Sequence, residues 1–273
     1  MPESLVAAIQ TNSGDNISEN LETCADLLNR AVDQGAQVSV LPECFGFMQR
    51  SRRQLFENAE VDGCGPIQDY LCDTAAKLNT WIVAGSLPTL SGQANKVFNT
   101  LMVFDNSGSR VSRYDKIFLF DVELSAEERY FESDYTAAGN QTGVIDSPAG
   151  RIGLSICYDL RFPELYRRLA DQGAEILVVP SAFAVTTGAD HWQPLLTARA
   201  IENSCYVVAP AQTGTHNERR KTWGHSMVID PWGRVVAQLE EGEGIVVCAI
   251  NREYIRAVRS RLPSLNHRRP DLF

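Results

Sequence analysis

No run of apolar residues in this 273-residue chain approaches the ~20 needed to cross a bilayer, so membrane insertion is not expected. Histidine is scarce. The four present, His191, His216, His225 and His267, do not stand at zinc-site spacing. No Cys-x-x-Cys pair occurs, and no Gly-x-Gly-x-x-Gly follows a strand-like run, so the common metal and dinucleotide signatures are missing. Basic residues are outnumbered: 25 Lys and Arg against 34 Asp and Glu leave a net charge of −9, which argues against general nucleic-acid binding. Arg219-Arg220-Lys221, a short basic run among polar residues, reads as a solvated turn. The first residues, Met1 to Gln10, lack the basic flank of a signal peptide, and seven scattered cysteines argue against a disulfide framework. A reducing, cytoplasmic setting is the expectation.

What is present is ordinary for a globular protein, with 44% hydrophobic and 22% charged residues, which excludes a fibrous or disordered chain. No linker-like stretch divides it, so a single domain over residues 1–273 is expected. Charge is uneven along the chain. From Asn251 onward six arginines face only Glu253 and Asp271, a net +4, leaving −13 elsewhere. A basic C-terminal tail docking on an acidic body or on another subunit follows from that split.

Leu5 to Gln10 reads as a strand, and a helix capped by Asp15 or Asn16 follows with the stripe Ile17, Leu21, Cys24, Leu28, Ala31 and Val32, closing at Gly35. Val38 to Leu41 is then a buried strand. The same order returns later: strand Arg151 to Ile156, a helix opened by Pro163 and closed by Gly173, and strand Ile176 to Val179. The two junctions match in letters as well. Asp33-Gln34-Gly35-Ala36-Gln37-Val38-Ser39-Val40-Leu41-Pro42-Glu43 shares six of eleven positions with Asp171 to Ser181. An internal duplication is the preferred reading, two strand–helix–strand halves in a layered α/β fold. Further strands are expected at Trp81 to Ala84, Val97 to Phe104, Ser109 to Tyr114, Ser204 to Ala209, His225 to Ile229, Val235 to Leu239 and Gly244 to Ile250. Helices are expected at Gln68 to Leu78, Trp192 to Asn203 (capped by Asp190) and Tyr254 to Arg261. The polar, acid-rich insert from Phe118 to Gln141 has the character of an active-site loop.

Cys157 follows one duplicated strand and precedes a helix, the place where open α/β sheets hold ligands. A turn there also frees backbone N–H groups for an oxyanion. Taken alone, the same cysteine also fits an inert core position. Glu43 directly follows the matching strand and a proline; burial would raise its pKa towards that of a general base, although capping or an ion pair would also explain it. Lys116 lies between a strand and an apolar segment, where a snorkelling stem is the plain alternative. Chemically the three complement one another. A thiolate attacking an amide needs a proton acceptor, a cation for the oxyanion and a proton for the leaving amine. Lys116 would in addition favour the thiolate. A cysteine–histidine pairing with His191 or His225 stays open as an alternative, as does a catalytically silent scaffold.

Leu41-Pro42-Glu43, Tyr114-Asp115-Lys116-Ile117 and Ser155 to Glu164 resemble the three motifs of the carbon–nitrogen hydrolase (nitrilase) superfamily, in its order and over essentially the whole chain. Phe131 to Gly139, Pro180-Ser181-Ala182-Phe183, Thr187-Gly188, His191-Trp192, Ala198 to Glu202, Gly224 to Gly233 and His267 to Phe273 are most similar to the Nit branch. The resemblance implies a four-layer α-β-β-α sandwich and a homodimer or larger homo-oligomer. It implies Cys157 as nucleophile, Glu43 as general base, Lys116 with the N–H of Tyr158 at the oxyanion, and Glu132 as an additional glutamate near the site. Tyr158 and Phe183 would line the pocket. The implied reaction is hydrolysis of deaminated glutathione to 2-oxoglutarate and cysteinylglycine through a thioester, a metabolite repair, with no metal or organic cofactor. An ω-amidase, a carbamoylase or another small-amide hydrolase is the alternative inside the superfamily. A small-molecule amide carrying carboxylates calls for cations near the pocket; Arg161 is the first candidate, with Arg129, Arg199 and Lys221 behind it.

Overall fold

The computed structural model describes residues 3–126 and 128–272; Met1 and Pro2 of the first segment and Phe273 of the closing motif lie outside them. The first half runs β1 (Ser4–Gln10), α1 (Ile17–Asp33), β2 (Ala36–Leu41), α2 (Arg52–Glu57), α3 (Pro66–Leu78), β3 (Trp81–Leu90), β4 (Val97–Phe104) and β5 (Arg110–Asp115). A short hairpin, β6 (Asp121–Glu123) and β7 (Arg129–Phe131), leads to the second half. That half comprises β8 (Val144–Ser147), β9 (Gly150–Gly153), α4 (Pro163–Asp171), β10 (Ile176–Val178), α5 (Val185–Asn203), β11 (Tyr206–Ala209), a second hairpin β12 (Thr213–Thr215) and β13 (Lys221–Trp223), β14 (Ser226–Ile229), β15 (Val235–Leu239), β16 (Gly244–Ile250) and α6 (Arg252–Arg261). No helix among the described residues is long and apolar enough to cross a membrane.

Strand periodicity dictates the layers. Along the first sheet, Val6, Ala8, Val38, Val40, Val83, Leu101 and Val103 point one way and enter a core shared with Ile152, Ile176, Val178 and Val208 of the second sheet. Their neighbours Ala7, Ile9, Leu41, Ile82, Ala84, Met102 and Phe104 point the other way. They pack on Cys24, Leu27, Leu28 and Ala31 of α1 and on Ile67, Leu71 and Ala75 of α3. On the outer side of the second sheet, Leu165, Tyr166 and Leu169 of α4 and Trp192 and Leu196 of α5 complete the same core. Helix, sheet, sheet and helix therefore stack in the four layers expected. Each large aliphatic side chain buried in this way contributes about 1.5–3 kcal/mol.

The duplication extends to topology. In one sheet β1, β2 and β3 run parallel, flanked antiparallel by β16 on one side and by β4 then β5 on the other. In the other β9, β10 and β11 run parallel, flanked by β8 and by β14 then β15. The halves differ in their outer strand: β8 comes just before β9, whereas β16 returns to β1 from the far end of the chain. Gly35 and Gly173, at the matched helix ends, share a φ of +88°, a left-handed turn that favours glycine.

Local expectations fared unevenly. Asn16, not Asp15, caps α1, accepting from the amides of Ser18 and Glu19. The helix read at Trp192 opens seven residues earlier, at Val185, and Asp190 lies within it rather than at its cap. Gly188 and Pro194 look like breakers in sequence. Gly188 is required because a Cβ there would stand 2.4 Å from that of Trp223. Pro194 is accommodated inside the helix. The ladder of β9 stops at Gly153, short of the Ile156 expected, and both hairpins and α2 had no clear periodic signal. The basic tail docks on the acidic body: Arg252 pairs with Glu175 at 2.9 Å, Arg268 with Asp171, and Arg259 donates to the carbonyl of Ala174. All three grip the turn at 171–175, the duplicated junction itself.

Candidate active site

The carboxyl ends of the central strands of the two sheets converge, and the duplicated junction delivers one wall from each half. Glu43 follows β2 through Pro42. The equivalent turn, Pro180-Ser181, presents the N–H of Ala182 to Glu43 Oε2 at 2.9 Å, and the Pro180 carbonyl accepts the N–H of Cys157 at 2.9 Å. Cys157 itself sits at φ +47°, opening a 3-10 turn over 157–161. A non-glycine residue there costs about 1–3 kcal/mol, and neighbouring contacts must hold it. Asp159 supplies them: one carboxylate oxygen accepts from the Ile156 amide at 2.8 Å and the Tyr114 hydroxyl at 2.7 Å, the other from the Phe118 amide at 2.9 Å. The turn bearing Cys157 is thereby tied to the strand end bearing Lys116.

Glycine permits the close approach behind Glu43. A Cβ on Gly85, at the irregularity in β3, would stand 2.0 Å from the Leu41 carbonyl oxygen and 2.4 Å from that of Pro42. Backbone cannot yield as a side-chain tip does. Gly85→Ala is expected to cost about 2–4 kcal/mol, read from the urea midpoint, and to impair turnover by displacing Glu43. A variant of unchanged midpoint would mean that the Leu41–Pro42 segment shifts freely.

The polar centre is compact. Lys116 Nζ donates to Glu43 Oε1 at 3.0 Å and to Glu132 Oε2 and Oε1 at 2.9 and 3.2 Å. Asn99 Nδ2, from β4, donates to Glu43 Oε1 at 2.9 Å and reaches Glu132 Oε1 at 3.4 Å. The Phe120 amide completes Glu132 at 2.7 Å. Lys116, Glu43 and Glu132 are all buried, and the Cys157 thiol hydrogen-bonds to Glu43. Burial opposes the Lys116 charge, but Glu132 and Glu43 outweigh it and hold the ammonium well above the ordinary lysine range. Burial would raise Glu43, yet Lys116, Arg220 and the Cys157 hydrogen bond bring its carboxyl below the usual range. Burial first, then the Glu43 charge, push the Cys157 thiol well above its ordinary value; Lys116 pulls the other way and is outweighed. The expected rise of the Glu43 carboxyl is thus reversed, and the pull of Lys116 towards the thiolate, though present, is outweighed. The resting pair is an ionised Glu43 beside a neutral thiol.

Glu43, Lys116, Glu132, Cys157, Tyr158 and Phe183 all line one cavity, with Phe120, Tyr130 and Tyr135 contributed by the insert at 118–141. Arg161 does not line it. Its guanidinium lies over the rings of Tyr158 and Phe183 at 5.8 and 5.3 Å and meets His191 Nδ1 at 3.2 Å. Arg199 is taken up by the Leu160 carbonyl and Glu202, and Lys221 and Arg129 are exposed on the hairpins. Beside Lys116, the cation that lines the cavity among the described residues is Arg220, which the sequence presented as part of a solvated turn. Asn99 was missed as well, though a polar side chain inside Val97-Phe98-Asn99-Thr100-Leu101 was a visible anomaly. Neither His191 nor His225 reaches the cavity; His225 stacks on Trp223 at 4.3 Å and bonds that residue's carbonyl.

The sequence model of the family described as carbon-nitrogen hydrolase matches residues 5–260. A relative from Synechocystis sp. called deaminated glutathione amidase is 44% identical over 97% of this chain and 97% of its own. A human relative of the same name is 42% identical over 98% of this chain and 83% of its own. Among solved structures, the Caenorhabditis elegans NitFhit protein superposes with a TM-score of 0.92 at 38% identity, covering 99% of this chain and 66% of that one.

Proposed function

The chain belongs to the carbon–nitrogen hydrolase family, and we propose that it is an amidase cleaving deaminated glutathione to 2-oxoglutarate and cysteinylglycine. The observation that carries the reading is the meeting of Cys157, Glu43 and Lys116 on one cavity wall, in a chain 44% identical over nearly its full length to an amidase of that name. The alternatives inside the superfamily share this chemistry and differ in substrate.

Cys157 Sγ attacks the amide carbonyl carbon as its proton passes to Glu43. Because Glu43 is held ionised, it is ready to accept that proton; because the thiol is held neutral, transfer accompanies attack rather than preceding it. The oxyanion forms against the Lys116 ammonium and the N–H of Tyr158, whose place in the first turn after Cys157 leaves the amide without a partner inside the turn. Glu43 returns the proton to the departing nitrogen, the C–N bond breaks and a thioester remains on Cys157. Water then attacks, Glu43 takes its proton and passes it to sulfur as the acid leaves. Glu132 spends both oxygens on Lys116, which makes it the group that orients the ammonium. No histidine is needed. The catalytic unit is one domain over residues 1–273. It acts in the cytoplasm as a homodimer or larger homo-oligomer, in keeping with the exposed apolar side chains Ile201, Trp232 and Leu262; light scattering reads the assembly.

Competition between deaminated glutathione, 2-oxoglutaramate and a simple aliphatic amide tests the substrate. The highest kcat/KM is expected for deaminated glutathione. Ammonia release from 2-oxoglutaramate dominating the mixture would shift the assignment to an ω-amidase.

A further inference from the structure

In the run Arg219-Arg220-Lys221 the structure separates one residue from its neighbours: Arg219 and Lys221 are exposed, whereas Arg220 is largely covered and lines the cavity. The segment 216–220 that presents it is fastened from within. The buried His216 meets the Ser13 carbonyl through Nδ1 at 2.8 Å and Thr222 Oγ1 through Nε2 at 2.6 Å, and its N–H donates to the Arg220 carbonyl at 3.0 Å. Asn217 Oδ1 accepts from the amides of both Arg219 and Arg220 at 3.0 Å. Burial holds His216 down to about 4, so it stays neutral and adds no charge here.

The Arg220 guanidinium, by contrast, has no hydrogen bond or ion pair to any of the described residues. A planar cation with five donors, largely covered and without a protein partner among the described residues, is open to a ligand that brings acceptors. The other cation of the wall, Lys116, is committed to two carboxylates. Glu43, Glu132 and Lys116 alone would leave the cavity with an excess negative charge that repels acids. Arg220 cancels that excess.

We propose that Arg220 is the carboxylate-recognition group of this cavity, pairing side-on with a carboxylate of the amide substrate and so selecting anionic amides over neutral ones. This rests on the amidase reading. The carboxylate belongs either to the acyl half, which stays as the thioester, or to the amine half, which leaves.

Arg220→Gln, Arg220→Lys and the exposed neighbour Arg219→Gln are compared on three amides. 2-Oxoglutaramate carries a carboxylate on the acyl side only, N-butyryl-cysteinylglycine on the amine side only, and the amide of the latter on neither. Arg220→Gln is expected to lower kcat/KM by about 10- to 100-fold, chiefly through KM, on at least one anionic amide. The anionic amide that suffers names the source. The neutral amide should change by less than about threefold, Arg220→Lys should recover part of the loss, and Arg219→Gln should match the wild type. Equal losses on all three amides, or none, overturn the proposal. Should the wild type turn over none of them, product binding decides for Arg220, and inactivity on deaminated glutathione as well marks the failure of the amidase reading. 2-Oxoglutarate or cysteinylglycine must then raise the Tm of the wild type and not of Arg220→Gln. Equal shifts, or no shift in the wild type, overturn it.

Discussion

Glu43→Gln is expected to lower kcat/KM by about a thousandfold or more while making Cys157 a stronger acid. The two effects separate the roles of one carboxylate. In the proposed mechanism Glu43 serves both halves of the reaction as proton acceptor and donor, and the amide of glutamine would serve neither. As a buried charge hydrogen-bonded to the thiol, Glu43 holds the proton on sulfur. Once that charge is gone, Lys116 remains nearby and the thiolate becomes easier to form. Thiolate absorbance followed against pH should therefore shift to lower pH in the variant, as amide turnover disappears. Activity retained in Glu43→Gln would show that another group carries the proton. A titration unmoved, or moved upward, would show that Glu43 does not control the thiol.

The second large effect concerns Lys116→Met, which keeps the length of the stem and deletes the ammonium. Glu43 and Glu132, both holding the same Nζ and sharing Asn99, are then left facing each other in a buried site. Breaking such a cluster is expected to cost about 3–5 kcal/mol and to abolish turnover, since the oxyanion loses its cation. The pH dependence should change sign. In the wild type, Glu43 ionises below the usual carboxylate range, so its contribution is present above the unfolded value near 4.5 and fades as pH falls through the lower folded one. In the variant one carboxyl takes up a proton more readily folded than unfolded, so stability should rise as pH falls from neutrality towards the carboxylate range. Urea midpoints measured across that range read the slope. Parallel slopes would mean that Lys116 does not bind the two glutamates together.

Much of this was legible in the sequence because the determinants are local. The duplicated junction could be seen because each helix ends in a left-handed turn that glycine adopts without strain, at Gly35 and Gly173, followed by a continuous apolar strand. Glu43 and Cys157 were visible because each follows an apolar strand-like run, and Lys116 because it lies between a strand and an apolar segment. What escaped depends on contacts between distant segments. Arg220 faces inward because His216 is tied to Ser13, 203 residues away, and nothing in Arg219-Arg220-Lys221 distinguishes the middle residue. The direction of the Glu43 shift reversed for a similar reason. Burial would raise the Glu43 carboxyl but Lys116 and Arg220 outweigh it, while burial and the Glu43 charge raise Cys157, and spacing along the chain reveals none of these neighbours. Arg161, one of the candidate cations, instead lies over the rings of Tyr158 and Phe183 and does not line the cavity.

Acid quenching during turnover of deaminated glutathione, followed by peptide mass analysis, tests whether the acyl group is carried on sulfur. The expected result is a 2-oxoglutaryl thioester on the peptide containing Cys157, formed and consumed fast enough to account for steady-state turnover, and absent in Cys157→Ala. Undiminished turnover in Cys157→Ala, or an acyl group found on a different residue, would contradict the mechanism derived from this site.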